Sequence, residues 1–146
     1  MLNAFLRSLA APREVRPPLG GQLAFAALLV RIARIDGHYS AEEVDGIEEI
    51  LAERFGLGPE AVAELRQKAE VLEADSNDTV RFTRALKDAV PLDDRAGVLE
   101  ALWSLVLTDG KRDQHEDQMM RLCADLLGIN DRDSNLARLR AAEKLA

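Results

Sequence analysis

The sequence predicts an all-α protein, a compact bundle of about seven to eight helices with an internal pseudo-two-fold repeat. Apolar residues make up 47% of the 146-residue chain, which is enough for one domain with a substantial core. Only 4% of the residues are aromatic, Ala and Leu dominate and β-branched residues are few, so the composition favours helices over sheets. Apolar side chains also recur at helical spacing along most of the chain.

The N-terminal region, residues 1–19, is predicted to be an amphipathic segment with a linker, and residues 20–146 form the single helical domain. Within residues 2–9 the apolar side chains share one helical face: Leu2, Phe5, Leu6 and Leu9. The stretch APREVRPPLGG that follows is rich in Pro, Gly and Arg, as linkers are. The segment is compatible with contact to a membrane surface or a partner. We expect it instead to pack back on the core or to stay flexible, because one short helix with few basic residues binds membranes weakly. The start also lacks the pattern of a signal peptide.

The first half of the domain begins with residues 21–35, whose apolar side chains lie on nearly every face, as in a helix at the centre of a bundle. Gly37 suits the positive φ of a helix end. Ser40 and Glu43 have the spacing of a capping box and predict a second helix over 40–55. One side of this helix is apolar. The other is either a docking surface or an ordinary solvated face, and its acidic residues are Glu42, Asp45, Glu48, Glu49 and Glu53.

Two amphipathic helices are predicted next. Pro59 suits the first turn of a helix over 59–72, whose buried stripe consists of Val62, Leu65, Ala69 and Leu72. Pro91 ends the other helix, over 79–89, whose inward side chains are Phe82, Ala85, Leu86 and Ala89.

The second half repeats the order of the first. Residues 93–107 are again apolar on nearly every face, and the Asp-Gly pair at 109–110 ends that helix. Asp113 occupies the cap position of a helix over 113–127, which is predicted to bury Met119, Met120, Cys123, Leu126 and Leu127. A last helix, over 132–144, is predicted to turn three apolar side chains inward: Leu136, Leu139 and Ala142.

The two halves contain the same unit at a distance of 73 residues. This offset pairs Asp36 with Asp109, Gly37 with Gly110, Glu43 with Glu116 and Ile47 with Met120. Each unit is a buried helix, a DG turn and an acidic amphipathic helix. We expect the two buried helices to pack at the centre with approximate two-fold symmetry.

The two DG…E units are the candidate metal site, with Asp36, Glu43, Asp109 and Glu116 as ligands. The aspartates stand at helix ends where the dipole disfavours negative charge, so each needs a partner. That partner is either a local backbone amide, as in an Asx-turn, or a divalent cation. The glutamates also suit a capping role that needs no metal. Oxygen ligands alone suit Ca²⁺, Mg²⁺ or Mn²⁺ rather than zinc, and we expect the nearby His38 and His115 to be exposed and unliganded.

Several classes of function are disfavoured. A net charge of -7 and a pI of about 4.9 argue against nucleic acid as a partner. No apolar run is long enough to predict a transmembrane segment. Cys123 lies on an apolar helix face, where core packing is its expected role, and no nucleophile elbow or phosphate-binding loop is present. We therefore expect a cytoplasmic protein that is not an enzyme.

Two stretches resemble the tellurite-resistance TerB-like family: ARIDGHYSAEEVDGIEEIL at 33–51 and LVLTDGKRDQHEDQMMRLCADLLGI at 105–129. The N-terminal domain of the membrane-attached co-chaperone DjlA is similar. The resemblance covers roughly residues 22–130. It implies an all-α fold and an acidic site for divalent cations at Asp36, Glu43, Asp109 and Glu116. It also implies a link to tellurite or general stress response, in complexes near the inner face of the membrane.

The expected function is that of a helical module that binds a divalent cation and acts as a sensor or interaction protein in stress response. Its expected location is the cytoplasm, or the periphery of the inner membrane, and its partner is an unidentified protein. Two alternatives stay open: a metal-free protein-interaction module of co-chaperone type, and, less favoured, a metal-dependent hydrolase. A homodimer is also compatible with the sequence.

Overall fold

Seven α-helices and one 3-10 turn make up a computed structural model of the protein, which describes residues 19–108 and 114–145. The helices are α1 (Gly21–Arg34), α2 (Ala41–Phe55), α3 (Pro59–Asp75), α4 (Thr79–Ala89), α5 (Arg95–Thr108), α6 (Gln114–Leu126) and α7 (Asp131–Leu145), and the 3-10 turn is Leu92–Asp94. The described residues contain no strand, so the all-α prediction is confirmed. The predicted amphipathic segment, most of the linker, the second DG pair and the cap residue Asp113 lie outside the described residues.

The core is built around α1, as its apolar composition predicts. Nine of its residues are buried, and the helix contacts α2, α3, α4 and α5. A helix enclosed by four others has no face exposed to solvent, so its sequence is apolar on nearly every side. It ends at Arg34, and Gly37 follows with a φ of +82°, the left-handed conformation that favours glycine. None of the helices within residues 19–108 and 114–145 could serve as a transmembrane span.

Helices α2, α3 and α4 form close to their predicted positions because their ends carry strong local signals. Ser40 caps α2, and Gly56 ends it in the left-handed conformation. Pro59 opens α3, which continues to Asp75, three residues beyond the predicted end. Helix α4 has its predicted bounds, since Asp78 accepts a hydrogen bond from the Val80 N–H at 3.0 Å and Pro91 stops the helix two residues after its end.

The inward face predicted for α7 is wrong. The buried residues of α7 are Ser134, Ala137 and Ala141, whereas Leu136 and Leu139 are 39% and 45% exposed and Ala142 is also exposed. Of the helix pairs in the described residues, α5 and α7 have the most extensive contact. Small side chains let two helix axes approach closely, so an alanine stripe, and not the leucines, faces α5.

The predicted two-fold arrangement of the repeat stays a prediction. Helices α1 and α5, the buried helices of the two units, do contact each other. Their main neighbours differ, however, because α1 packs chiefly on α3 and α4 while α5 packs chiefly on α7. The two units therefore have unlike surroundings within the described bundle.

Candidate metal centre at the Asp-Gly loops

The first DG loop joins α1 to α2 and places Asp36 on the surface. Asp36 is exposed, and its Oδ1 accepts a hydrogen bond from the backbone N–H of His38 at 2.9 Å. The N–H of Gly37 donates to the carbonyl of Arg34 at 3.1 Å. This is an Asx-turn, which gives the aspartate a local partner of the kind considered from the sequence.

Glu43 serves as the glutamate of a complete capping box. Its Oε1 accepts hydrogen bonds from the Ser40 N–H and from the Ser40 hydroxyl, both at 3.2 Å. The Ser40 hydroxyl oxygen in turn accepts from the Glu43 N–H at 3.1 Å. The carboxylate thus lies at the positive end of α2, where the helix dipole favours it.

The capping box gives a first testable prediction. Ser40→Ala removes the acceptor for the Glu43 N–H and should lower the free energy of unfolding by about 1 kcal/mol. Urea unfolding followed by circular dichroism measures this change. Ser40→Thr keeps the hydroxyl and is the control, because it should retain most of the stability. An alanine variant as stable as wild type would show that the cap contributes nothing to α2.

The second unit differs from the first in the burial of its glutamate. Glu116 lies in the first turn of α6 and is only 5% exposed, and it is the one buried acidic residue in the described part of the chain. Its companion Asp109 lies outside the described residues. Of the four predicted ligands, the structure therefore places Asp36 and Glu43 at one loop and Glu116 at the start of another helix.

The described residues do not by themselves assemble a metal site. Within 19–108 and 114–145, no group of three or more His, Cys, Asp or Glu side chains is arranged to hold a metal ion. His38 and His115 are both exposed, as predicted. A cation at the DG loops would therefore need donors beyond those described, and Asp109 is the natural candidate from the repeat.

The first DG loop is attached to α3 through Tyr39. The Tyr39 hydroxyl donates to Oε2 of Glu70 at 2.6 Å, and the guanidinium of Arg34 lies 4.9 Å from the centre of the Tyr39 ring. Burial, reinforced by the neighbouring Glu70 carboxylate, raises the pKa of Tyr39 well above its usual 10. The phenol is thus a neutral hydrogen-bond donor at physiological pH, and it couples the loop to α3.

The arginines of α1 make contacts near the first DG loop that were not predicted from the sequence. Arg31 and Arg34, the only charged residues of that helix, both bind the carboxylate of Glu73 on α3, at 3.2 and 2.8 Å. Arg31 also donates to the Thr79 hydroxyl at 2.9 Å and stacks on the Phe82 ring at 5.0 Å. The sequence feature that could have predicted these contacts is the pair of arginines one turn apart in an otherwise apolar helix. Buried charges of this kind need partners.

Cys123 is a core residue of α6. It is fully buried, and burial raises the pKa of its thiol to about 12, so the thiolate that would act as a nucleophile is not populated at neutral pH. The predicted core role of Cys123 is confirmed, as is that of Met120, which is also fully buried. Met119 is half-buried and packs against the core from its edge.

Comparison with known proteins identifies a family. The model of the family described as tellurite resistance protein TerB matches residues 22–139, well over half of the chain. That family is one of non-catalytic domains. No curated protein matches the chain, and no solved structure does.

Proposed function

Because this chain belongs to the family of the tellurite resistance protein TerB, we propose that it is a helical module that works by binding a divalent cation at its two DG…E units. In this proposal the protein acts as a sensor or interaction protein in stress response, and the cation-bound state is recognised by a partner protein. The cation is Ca²⁺, Mg²⁺ or Mn²⁺, because every donor offered by these units is a carboxylate oxygen.

The recurrence of the DG…E unit is the observation that supports this proposal most. Glu116 of the second unit is the third residue of α6, as Glu43 of the first unit is the third residue of α2. Asp36 is exposed on the loop before α2, where it can bind an ion from solution. In the proposed site the two aspartates are ligands, and Glu43 and Glu116 either bind the ion or orient the loops.

The attachment of the loop to α3 gives the proposed sensor a route to the rest of the bundle. Tyr39 follows Asp36 by three residues and is held by Glu70. A change in the DG loop on binding therefore acts directly on α3. The exposed acids of α2 lie beyond the same loop and offer a docking surface for a basic partner: Glu42, Asp45, Glu49 and Glu53.

Thermal unfolding with and without cations tests the proposal. A cation at about 100 times its Kd should stabilise the fold by about 2.7 kcal/mol, which corresponds to a rise in Tm of roughly 5–10 °C. Asp36→Asn and Asp109→Asn should each abolish most of that rise. Asp88→Asn is the matched control, because Asp88 is an exposed aspartate far along the chain from both DG pairs, and it should leave the rise unchanged. Trp103 on the buried helix α5, six residues before Asp109, supplies an independent fluorescence signal.

The metal-free alternative makes the opposite prediction. If Ca²⁺, Mg²⁺, Mn²⁺ and EDTA all leave Tm unchanged in wild type, the carboxylates have only the local roles that the Asx-turn and the capping box illustrate. The protein would then be an interaction module of the co-chaperone type. An apolar cavity at the start of α1 supports that second function, because apolar cavities receive apolar side chains of partners.

A further inference from the structure

The described bundle has an open apolar cavity at the end where α1 begins. Its volume is about 280 Å³, and its walls come from four helices, with Gly21 and Phe25 of α1, Phe55 of α2, Leu86 of α4 and Val98 of α5 among them. Arg54 lies at the rim, 5.5 Å from the centre of the Phe25 ring, and donates to the carbonyl of Gly97 at 3.1 Å. A dry cavity of about half this volume already binds benzene, so this one has room for an aromatic side chain.

The chain enters the described structure at this cavity. A Cβ atom added to Gly21 would lie 2.7 Å from Cβ of Ala89, so the start of α1 is pressed directly against the end of α4. Both residues line the cavity. The described chain begins at residue 19, so residues 1–18 are joined to the domain only two residues before the cavity lining at Gly21.

The residues before this point have the composition of an apolar ligand. Leu2, Phe5, Leu6 and Leu9 have the i, i+3, i+4, i+7 spacing by which amphipathic helices insert into grooves. The eleven residues from 10 to 20 reach up to roughly 35 Å when extended, far more than a return to the rim requires.

Charge also favours the return of this segment to the domain. Residues 1–18 contain three arginines and one glutamate, a formal charge of +2, whereas the whole chain carries -7, which leaves -9 on the remainder. Asp94 and Glu100 both act electrostatically on Arg54 at the rim, so acidic groups lie beside the opening. A basic amphipathic segment is therefore attracted to this end of the domain.

We propose that residues 2–9 of the same chain occupy the cavity, with Phe5 as the buried anchor. The segment closes an apolar opening that would otherwise face water, and a partner that uses the cavity must first displace it. This inference does not depend on cation binding, and either one can fail without the other.

Disulfide trapping in the full chain tests the proposal. Leu9→Cys combined with Ala89→Cys keeps the Phe5 anchor and should form an intramolecular disulfide under mild oxidation, several-fold faster than Leu9→Cys combined with Val71→Cys. Val71 is 64% exposed and does not line the cavity, and wild-type Cys123 is buried and does not compete. Equal rates for the two pairs would overturn docking, because they would reflect the tether alone. A disulfide-linked dimer would show that a second copy supplies the segment.

A pair of charge variants provides a second readout. Phe5→Asp should release the segment, lower Tm by several degrees and increase the fluorescence of an added apolar dye. Ala4→Asp introduces the same charge on the opposite face of the segment and should change neither. The proposal is wrong if both variants behave like wild type, or if wild type binds lipid vesicles of 30% anionic content and Phe5→Asp does not, since the segment would then serve a membrane.

Discussion

Glu73→Gln is expected to lower the free energy of unfolding by about 3 kcal/mol, the low end of the range for breaking a buried ion pair. Glu73 and Arg31 retain only 13% and 11% of their side-chain exposure, so the substitution leaves a guanidinium with little access to water. Arg34 loses the same partner. The loss stays near the low end because Arg31 keeps its hydrogen bonds to Thr79 and to the carbonyl of Ser76.

Urea denaturation of Glu73→Gln and Glu64→Gln compares the stability lost with a buried ion pair to that lost with an exposed one. Glu64 lies on the same helix and pairs with Lys68 at 3.0 Å, but these side chains are 67% and 63% exposed. Its substitution should cost less than about 0.5 kcal/mol. Comparable losses in the two variants would mean that the Arg31–Glu73 contact contributes no more than a surface pair does.

Leu29→Ala is expected to cost about 3 kcal/mol or more, because Leu29 is fully buried in α1 and its truncation leaves a cavity in a helix enclosed by four others. Leu139→Ala on α7 is the matched control. Leu139 is 45% exposed, and the loss there should be below about 0.5 kcal/mol.

The comparison of these two leucines also tests the orientation of α7. If Leu139 faced inward, as its helical spacing suggested, its truncation would cost several kcal/mol as well. Equal costs at both positions would therefore contradict the packing of Ala137 and Ala141 against α5. Urea unfolding of both variants, with unchanged m-values, is the measurement.

The parts of the fold that the sequence predicted are those encoded by local signals. Ser40 with Glu43, Pro59 and Pro91 each act within a few residues, and the helices that they bound formed where expected. The face of α7 depended instead on how closely α5 approaches it. That distance is a tertiary property, and it selected Ala137 and Ala141 over two leucines that periodicity alone favoured.

The local geometry of the first DG loop could be predicted for the same reason, whereas the metal site stays a prediction. Asp36 and Glu43 belong to turn and cap motifs that the sequence specifies, and both make the local hydrogen bonds that such motifs make. The partner of Arg31 and Arg34 could not be predicted from local sequence motifs. Glu73 lies 42 residues from Arg31 along the chain, so their meeting depends on the packing of α1 against α3.

The contact between Gly21 and Ala89 has a consequence for the order of events during folding. It joins residues 68 positions apart, a long loop whose closure entropy is recovered only once the intervening helices are assembled. The cavity beside it also has walls from α2 and α5, so a chain in which α1, α2, α4 or α5 is unfolded does not present it. A ligand of the cavity therefore binds the folded state in preference to the unfolded one, and by mass action it shifts the folding equilibrium toward the native state.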